Sequence, residues 1–314
     1  MSTYRALKGY SVKSLSSDPA NPKEGQVWYN SSAKTIKIQP LIAAWASAAA
    51  LQAAVRGNRM TGTQTAGLSA LGQQPPGVTA QSQEYNGTSW ASNVNANTAR
   101  GYMAAFGSQA ASSFAGGYNS TGLANTETYD GSSFSNGTAL NTARWYCAGA
   151  GTNTAAVVFL GTSAGTEEWD GSSWTEVTNN PTSRRHGNGL GTQTAALAAG
   201  GLPNTATTSQ EYDGTNWTSG GTMNTGRSYQ AGFGIQTAGL IVGGNQGGPT
   251  SSNAVESYDG TSFTTTASLG TGSNDGGGAG ASNTSGVFAG GGPTHKNNTE
   301  EFSVAATTRS VDVS

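Results

Sequence analysis

Short apolar segments that end in glycine recur along the chain, with polar stretches between them. Examples are TAALAAGG, which ends at Gly201, TAGLIVGG, which ends at Gly244, and AAVVFLG, which ends at Gly161. Apolar runs of this length, bounded by glycine, are typical of buried strands. No repeat contains a convincing helix, so the pattern predicts an all-β chain.

These apolar segments belong to a longer repeat. The residues GTQTAALAAGG, from Gly191 to Gly201, have four close copies and one looser copy. The copies are GTQTAGLSALG from Gly62, GSQAASSFAGG from Gly107, GTNTAAVVFLG from Gly151, GIQTAGLIVGG from Gly234 and GASNTSGVFAGG from Gly280.

A pair of aromatic residues, five positions apart, follows most copies. The motifs are EYNGTSW, TYDGSSF, EWDGSSW, EYDGTNW and SYDGTSF, and their first aromatics lie at Tyr85, Tyr129, Trp169, Tyr212 and Tyr258. The steps between them are 44, 40, 43 and 46 residues, and Phe302 lies 44 further on. Periods of this length indicate a propeller or a solenoid. The Asp-Gly or Asn-Gly between the two aromatics predicts a hairpin.

Each repeat therefore predicts four short strands, which is the content of one propeller blade. In the fourth repeat we expect strands at Arg184–Leu190, Thr194–Ala199, Ser209–Asp213 and Asn216–Ser219. Six blades are expected to start near Val55, Arg100, Arg144, Arg184, Arg227 and Gly278.

Two segments are candidates for completing the last blade. One is LIAAWASA, near the N-terminus, which contains Trp45, and the other is the C-terminal TTRSVDVS. The C-terminal segment is the favoured one, with Trp45 packing beside it.

The double glycines followed by paired aromatics resemble kelch repeats, although kelch repeats usually leave a wider gap between the two aromatics. The sequence motif GTQTAALAAGG…EYDGTNW, which follows an N-terminal segment DPANPKEGQVWYNSSAKTIKI, resembles those of kelch-like proteins encoded by marine bacteriophages. The likeness covers nearly the whole chain. It implies a six-bladed kelch-like β-propeller with a short N-terminal β-hairpin arm, in a virion or tail-fibre protein.

Residues 1–40 break the repeat and are expected to form an attachment arm, whereas residues 41–314 form the propeller. The arm carries six Lys or Arg against two Asp or Glu. QVWYN, a turn at Ser31–Lys34 and TIKI predict a hairpin. A lone hairpin is marginally stable in water, so we expect it to dock on the propeller or on another subunit.

Composition narrows the functional classes. The net charge of −2 shows no excess of basic residues of the kind that nucleic-acid-binding proteins carry, so no nucleic acid partner is expected. Leu, Ile, Val and Phe account for only 41 of the 314 residues, which favours layers packed through Ala, Gly and Thr. The single cysteine, Cys147, excludes an internal disulfide, and there is no apolar run of 18 residues, so no membrane insertion is expected.

Arginines and glutamates recur with the repeat. Either the arginines form a ring that binds an acidic partner, or each repeat contains one scaffold ion pair; the second alternative is favoured. The arginines are Arg56, Arg100, Arg144, Arg184 and Arg227, and the glutamates are Glu84, Glu127, Glu168, Glu211, Glu256 and Glu300.

The residues two positions after these arginines are candidates for binding. They are Asn58, Tyr102, Tyr146, His186 and Tyr229. Because residues two apart on a strand share a face, we expect them to circle one mouth of the channel. Tyr102, Tyr146, His186 and Tyr229 are the predicted binding residues, since sugars bind to aromatic faces. Packing between blades is the alternative.

The loops between the second and third strands vary most in length, from GTSAGTE to NQGGPTSSNAVE, and GGPTHKNNTE contributes His295 and Lys296. Variable loops on one face are where propellers bind partners, although neutral variation in loop length also explains them. His186 and His295 lie in different repeats without metal-ligand spacing. No catalytic residues, metal site or cofactor are therefore predicted, and Tyr146–Cys147 alone does not make a copper oxidase site.

The expected function is that of a non-enzymatic virion protein, either a tail fibre or a particle-surface protein. Host surface glycan is the expected ligand, bound through the propeller loops, and residues 1–40 are expected to contact other virion proteins. The alternatives are a carbohydrate-active or oxidative enzyme on the same scaffold and a protein–protein scaffold.

Overall fold

The computed structural model describes residues 12–248 and 250–311, and strands are the regular secondary structure of these residues, which confirms the all-β class. The described residues form two compact units: 12–44 with 303–311, and 45–302. Residues 1–11 of the predicted arm and residues 312–314 of the C-terminal segment lie outside the described residues. No helix in the described part of the chain is long and apolar enough to cross a membrane.

The first unit contains a four-stranded sheet. Its order is β1 (Lys13–Leu15), β2 (Val27–Asn30), β3 (Thr35–Ile38) and β30 (Arg309–Val311). β2 and β3 are antiparallel, with Val27 opposite Ile38, so the predicted hairpin is confirmed. The Trp28 side chain is fully buried and its Nε1 donates a 2.9 Å hydrogen bond to Asp18.

The second unit is built from six four-stranded sheets, numbered I to VI. Sheet I contains β5 (Arg59–Thr63), β6 (Ala66–Ala70), β9 (Ser82–Tyr85) and β10 (Trp90–Ser92), and sheet II contains β11 (Ala104–Ser108), β12 (Ala111–Ala115), β13 (Thr126–Tyr129) and β14 (Phe134–Gly137). Sheet III contains β15 (Ala148–Thr152), β16 (Ala155–Phe159), β17 (Thr166–Trp169) and β18 (Trp174–Val177), and sheet IV contains β19 (Asn188–Thr192), β20 (Ala195–Ala199), β21 (Ser209–Tyr212) and β22 (Trp217–Ser219). Sheet V contains β23 (Ala231–Ile235), β24 (Ala238–Val242), β25 (Val255–Tyr258) and β26 (Phe263–Thr265). A small hairpin of β7 (Gln73–Gln74) and β8 (Gly77–Val78) lies between β6 and β9.

Sheet VI corrects the expectation about its last strand. Its order is β27 (Gly277–Ser282), β28 (Ser285–Ala289), β29 (Thr299–Ala306) and β4 (Leu41–Ala48). The N-terminal segment therefore supplies the fourth strand, whereas the C-terminal β30 pairs with β3. Trp45 explains the choice: its indole lies 5.1 Å from the Phe302 ring, and its Nε1 donates a 3.0 Å hydrogen bond to the Ala267 carbonyl. The described part of the C-terminal segment carries no aromatic residue for this position.

The first strands of the six sheets contact one another in sequence, and β27 of sheet VI contacts β5 of sheet I. This is a propeller-like arrangement, and it leaves little room between neighbouring first strands. A Cβ on Gly189 would lie 2.6 Å from the Phe159 ring, and a Cβ on Gly232 would lie 2.1 Å from Asn188. The small residues of the first two strands are therefore a packing requirement.

The recurring GTQTA motif has two structural roles. Its glycine adopts positive φ at the turn into the second strand, and a Cβ on Gly191 would lie 2.2 Å from the Ala195 carbonyl oxygen. Its glutamine reaches the preceding sheet: Gln193 Nε2 donates to the carbonyls of Ala156 and Trp169, at 3.2 and 3.0 Å. Gln109 and Gln236 make the same pair of bonds to their preceding sheets. Where the motif carries Gln109, Gln193 or Gln236, it thus supplies both the turn within one sheet and the link to the preceding sheet.

The hairpin between the third and fourth strands is present, but its turn differs from the expected two-residue form. Tyr129 pairs with Phe134, which leaves a loop of four residues. Only Gly131 has positive φ, at 93°. The Asp130 carboxylate instead accepts hydrogen bonds from the backbone N–H of Ser132 and Ser133, each 2.8 Å long. The aspartate is therefore used for its side-chain acceptors.

Candidate functional site: a closed circle of hydrogen bonds

One residue from the loop that precedes each first strand joins a closed circle of six backbone hydrogen bonds. Each N–H donates to the carbonyl of the next member, over distances of 2.6 to 3.2 Å. In order of donation the members are Gly57, Asp275, Tyr229, His186, Tyr146 and Tyr102, which donates back to Gly57. We refer to these six residues as the hexad. The hexad joins all six sheets of the second unit.

All six members have left-handed backbone geometry. The φ angle is 61° for Tyr102, 57° for Tyr146, 58° for His186 and 59° for Tyr229. Positive φ is strained for a large side chain, and such strain clusters at functional sites. The geometry also corrects the sequence interpretation, in which these residues belonged to the first strands. In sheet IV the first strand begins at Asn188, two residues after His186, and not at Arg184.

The hexad side chains overlap one another around the circle. The ring centroids of Tyr102 and Tyr146 are 4.7 Å apart, those of Tyr146 and His186 are 3.6 Å apart, and those of His186 and Tyr229 are 3.8 Å apart. The Tyr102 ring covers Gly57, where an added Cβ would lie only 2.7 Å from it. The structure therefore brings together Tyr102, Tyr146, His186 and Tyr229, the four predicted binding residues.

Exposure differs within the hexad. Tyr102 and His186 are buried, whereas Tyr146, Tyr229 and Asp275 are half-buried. The Tyr102 hydroxyl donates a 2.8 Å hydrogen bond to Gln73. Tyr146 and Tyr229 are thus the hexad aromatics with the most surface available to a ligand.

The two titratable groups of the hexad, besides the tyrosines, have shifted pKa values. Burial lowers the pKa of His186 to about 3, and the charges of Arg185 and Arg59 add to this effect, so its imidazole is neutral at pH 7. Burial raises the pKa of Asp275 to about 6, against the opposing effect of Arg59 and Arg56.

Asn58 and Arg56 do not hold the expected positions. The hexad member of the first repeat is Gly57, and Asn58 is fully buried, with its Nδ2 donating to Ser69. Arg56 directly precedes Gly57, the hexad member of its repeat, whereas each of the other arginines lies two residues before the hexad member of its own repeat. In the first repeat, Val55 holds the position that corresponds to those arginines. The arginine spacing therefore placed the first repeat one residue out of register.

The repeated arginines belong to the scaffold. Arg144 Nη2 lies 2.6 Å from Glu167 Oε1, and both side chains are buried. Arg100 pairs with Glu127 and Arg227 with Glu256 in the same way, whereas Arg184 bonds to Gln210. The same glutamates accept backbone N–H groups from the preceding linker, such as Asn141 N to Glu167 at 2.7 Å. An arginine ring open to a partner is therefore excluded for these residues.

Gly57 and Asp275 were missed by the sequence interpretation, although a signal for both exists. Each hexad member lies five residues before the glycine of the GTQTA-like motif. Counting back from Gly62 gives Gly57, and counting back from Gly280 gives Asp275. The motif glycine is a better reference than the arginine because the arginine position holds Val55 and Ser273 in the first and sixth repeats.

The space enclosed by the six first strands is narrow. One section has a volume of about 40 Å³ and is lined by Arg59, Asn188 and Gln230 among small residues, and another has a volume of about 100 Å³ with mainly Gly and Ala in its wall. A water molecule needs roughly 10–15 Å³, whereas ligand pockets usually measure roughly 300–1,000 Å³. Both sections are large enough for water molecules but too small for a sugar, so a sugar must bind outside this central cavity.

The loops between second and third strands lie at the same end of the sheets as the hexad. Arg185 and Leu202 exchange backbone hydrogen bonds of 3.1 and 2.8 Å, which joins the two kinds of loop. We call this end the hexad face and the opposite end the far face. On the hexad face, a cleft of about 590 Å³ is lined by Thr162, Ser183 and Arg185, and by residues 202–204.

His295 and Lys296 lie in the sixth loop of the hexad face. The Lys296 ammonium donates to the Gly272 carbonyl, and the charge of Glu300 acts on it. In this repeat Ser273 replaces the arginine that pairs with a glutamate in other sheets. Within residues 12–248 and 250–311, no three His, Cys, Asp or Glu side chains are grouped so as to hold a metal ion.

Comparison with known proteins leaves the family open. The chain matches no protein-family model, and none of the curated proteins matches it.

Proposed function

We propose that this chain is a non-enzymatic virion protein of the kelch-like bacteriophage type, whose six sheets are the blades of one propeller. The contact between β27 and β5 supports a closed arrangement, and so does the hydrogen bond from Tyr85 in sheet I to Glu301 in sheet VI, 2.8 Å long. The hexad, which links all six sheets, supports it as well.

The hexad face is the proposed binding surface, and the observation that carries this proposal is the strained stack of Tyr102, Tyr146, His186 and Tyr229. A stack of large side chains at positive φ is costly, and its presence at the mouth of a cavity favours a role beyond packing. Half-buried tyrosine rings beside polar loops offer a sugar both an apolar face and hydrogen-bonding groups. Host surface glycan is therefore the proposed ligand.

Binding without turnover fits the chemistry of this face better than catalysis. His186 is neutral and packed between two tyrosine rings, which is a poor position for a proton carrier. Cys147 is fully buried, and burial raises its pKa, so its thiol is a poor nucleophile.

We propose that residues 1–40 attach the propeller to other virion proteins, either in a tail fibre or on the particle surface. Lys13, Lys23, Lys34 and Lys37 of this segment give it an excess of positive charge. The segment also lies outside the repeat.

The test of the binding role is adsorption of the labelled protein to host cells, with and without enzymatic removal of surface polysaccharide. Wild-type protein should adsorb, and the double variant Tyr146→Ala/Tyr229→Ala should adsorb roughly tenfold less, since stacked aromatics contribute about 0.5–1.5 kcal/mol each. Leu41→Ala, at an exposed side chain outside the hexad face, is the matched control.

Mass spectrometry of purified particles tests the virion role. Presence at a few to a few dozen copies supports a tail position, and hundreds of copies support a particle-surface position. Absence from particles contradicts the virion proposal and favours the scaffold or enzyme alternatives.

A further inference from the structure

Charge is segregated between the two ends of the sheets, although the net charge of the whole chain is only −2. The loops of the hexad face contain one acidic residue, Asp275. The same loops contain seven basic residues: Arg56, Arg100, Arg144, Arg184, Arg185, Arg227 and Lys296. Three of these are neutralised by the buried ion pairs, which leaves a net positive face.

The far face has the opposite charge. Its turns between third and fourth strands carry four exposed aspartates and no basic residue. They are Asp130, Asp170, Asp213 and Asp259. Hydrogen bonds from the following residues lower the pKa of each, so all four are ionised at neutral pH.

Arg185 is the exposed cation of the hexad face. It directly precedes His186, and none of the three ion pairs among the described residues involves it. Two backbone hydrogen bonds to Leu202 hold the Arg185 backbone in place, so the base of its side chain is fixed. A rigidly based guanidinium suits a carboxylate or sulfate, which it binds through two parallel hydrogen bonds.

The cleft beside Arg185 has the chemistry of a saccharide site. Thr162, Ser183 and Asn204 are exposed and carry hydroxyl and amide groups, and Leu202 and Pro203 form an apolar wall. Its volume of about 590 Å³ falls within the range for ligand pockets, unlike the central cavity.

We propose that this cleft binds an acidic saccharide, with Arg185 contacting the carboxylate or sulfate group and Thr162, Ser183 and Asn204 contacting hydroxyls. The proposal rests on the proposed glycan-binding function and narrows its ligand to an anionic sugar. The far face repels the same ligand, so binding is confined to one end of the sheets.

The experiment measures binding of the full-length protein to a panel of bacterial surface polysaccharides. The panel pairs uronic acid-containing or sulfated polymers with neutral polymers, or with carboxyl-esterified forms. Wild type should bind the acidic members, and Arg185→Gln should weaken that binding by at least about tenfold to a hundredfold, because it removes the charge-assisted hydrogen bonds to the anion. Rising salt should weaken wild-type binding in parallel.

Two matched variants separate a local site from a general charge effect. Arg309→Gln removes an exposed cation outside the cleft, and Asp213→Asn removes an anion at the far face of the sheet that follows the Arg185 loop. Asn86 makes the same turn contacts as the aspartates, so Asp213→Asn keeps the fold. Both variants should bind within twofold of wild type, and a thermal melt confirms folding of all three.

The possible outcomes are distinct. Loss of acidic binding in Arg185→Gln alone supports the inference. Binding of neutral polymers that Arg185→Gln leaves unchanged overturns it but leaves the glycan-binding function intact. Equal losses in Arg185→Gln and Arg309→Gln also overturn it. Wild type that binds no polysaccharide overturns both proposals.

Discussion

The hydroxyl of Tyr212 in sheet IV donates a 3.0 Å hydrogen bond to the carboxylate of Glu168 in sheet III. The same link joins three other pairs of neighbouring sheets, through Tyr85 and Glu301, Tyr129 and Glu84, and Tyr258 and Glu211. Two sheets hold Thr128 and Ser257 in place of the glutamate, and the sheet that follows each has Trp169 or Phe302, without a hydroxyl. Donor and acceptor thus occur together or not at all.

The Tyr212–Glu168 link should be measurable as a coupling energy. In a double-mutant cycle with Tyr212→Phe and Glu168→Gln, we expect a coupling of about 1 kcal/mol, because a hydrogen bond to a charged group is stronger than a neutral one. Urea unfolding of the four proteins gives the value. Because the amide oxygen introduced by Glu168→Gln can still accept the bond, a coupling indistinguishable from zero would show that the carboxylate charge does not strengthen the link.

Loss of a buried arginine should be severe. Arg144→Met leaves the Glu167 carboxylate buried without its partner, and we expect a loss of about 3–5 kcal/mol in the free energy of unfolding. Denaturant unfolding measures the loss, with Arg309→Gln as the exposed control. The double variant Arg144→Met/Glu167→Leu should recover much of it, because the uncompensated charge is gone. A single variant as stable as wild type would contradict a structural role for the pair.

His186 should make the protein less stable in acid. Its pKa is about 3 when folded and about 6.5 when unfolded, so the unfolded chain takes up a proton first as the pH falls below 6.5. The cost at pH 5 is about 2 kcal/mol. His186→Phe keeps an aromatic ring and should abolish this acid loss in unfolding measured between pH 7.5 and 5. An unchanged pH slope in His186→Phe would contradict the prediction.

Asp275 should have the opposite effect. Its folded pKa of about 6 lies above the usual 3.8, so the folded state takes up a proton first, and stability is gained as the pH falls from 7 toward 4. The gain at pH 5 is about 1 kcal/mol. Asp275→Asn should remove it, so that this variant loses more stability than wild type on acidification. The same denaturation series checks the sign.

The strand that completes sheet VI should depend on Trp45. Trp45→Ala removes the contact with Phe302 and the hydrogen bond to Ala267, and we expect a loss of about 2 kcal/mol, less than for a fully buried tryptophan. Leu41→Ala on the same strand is the control because Leu41 is exposed. Equal melting temperatures for Trp45→Ala and wild type would contradict the role assigned to this strand.

The local features of the fold were readable from the sequence. Alternation of glycine-bounded apolar segments with aromatic pairs predicted four strands per repeat, and the QVWYN–TIKI hairpin was predicted correctly. These features depend on neighbouring residues in the chain, such as the Asp130 side chain and the Gly131 backbone at one turn. Interactions of this kind, between residues close together in the chain, can be predicted from the sequence.

The tertiary structure decided which distant residues meet. Trp45 completes sheet VI because Phe302 and Ala267 offer it a partner ring and a carbonyl, more than 200 residues away. Gly57 and Asp275 are the hexad members of the first and sixth repeats. They take part because closing the circle requires a residue with positive φ from each of these repeats, whatever its side chain. The charge difference between the two faces likewise emerges only when the loops of all six sheets gather at one end. Residue order fixes each sheet, whereas the packing of one sheet on the next creates the site.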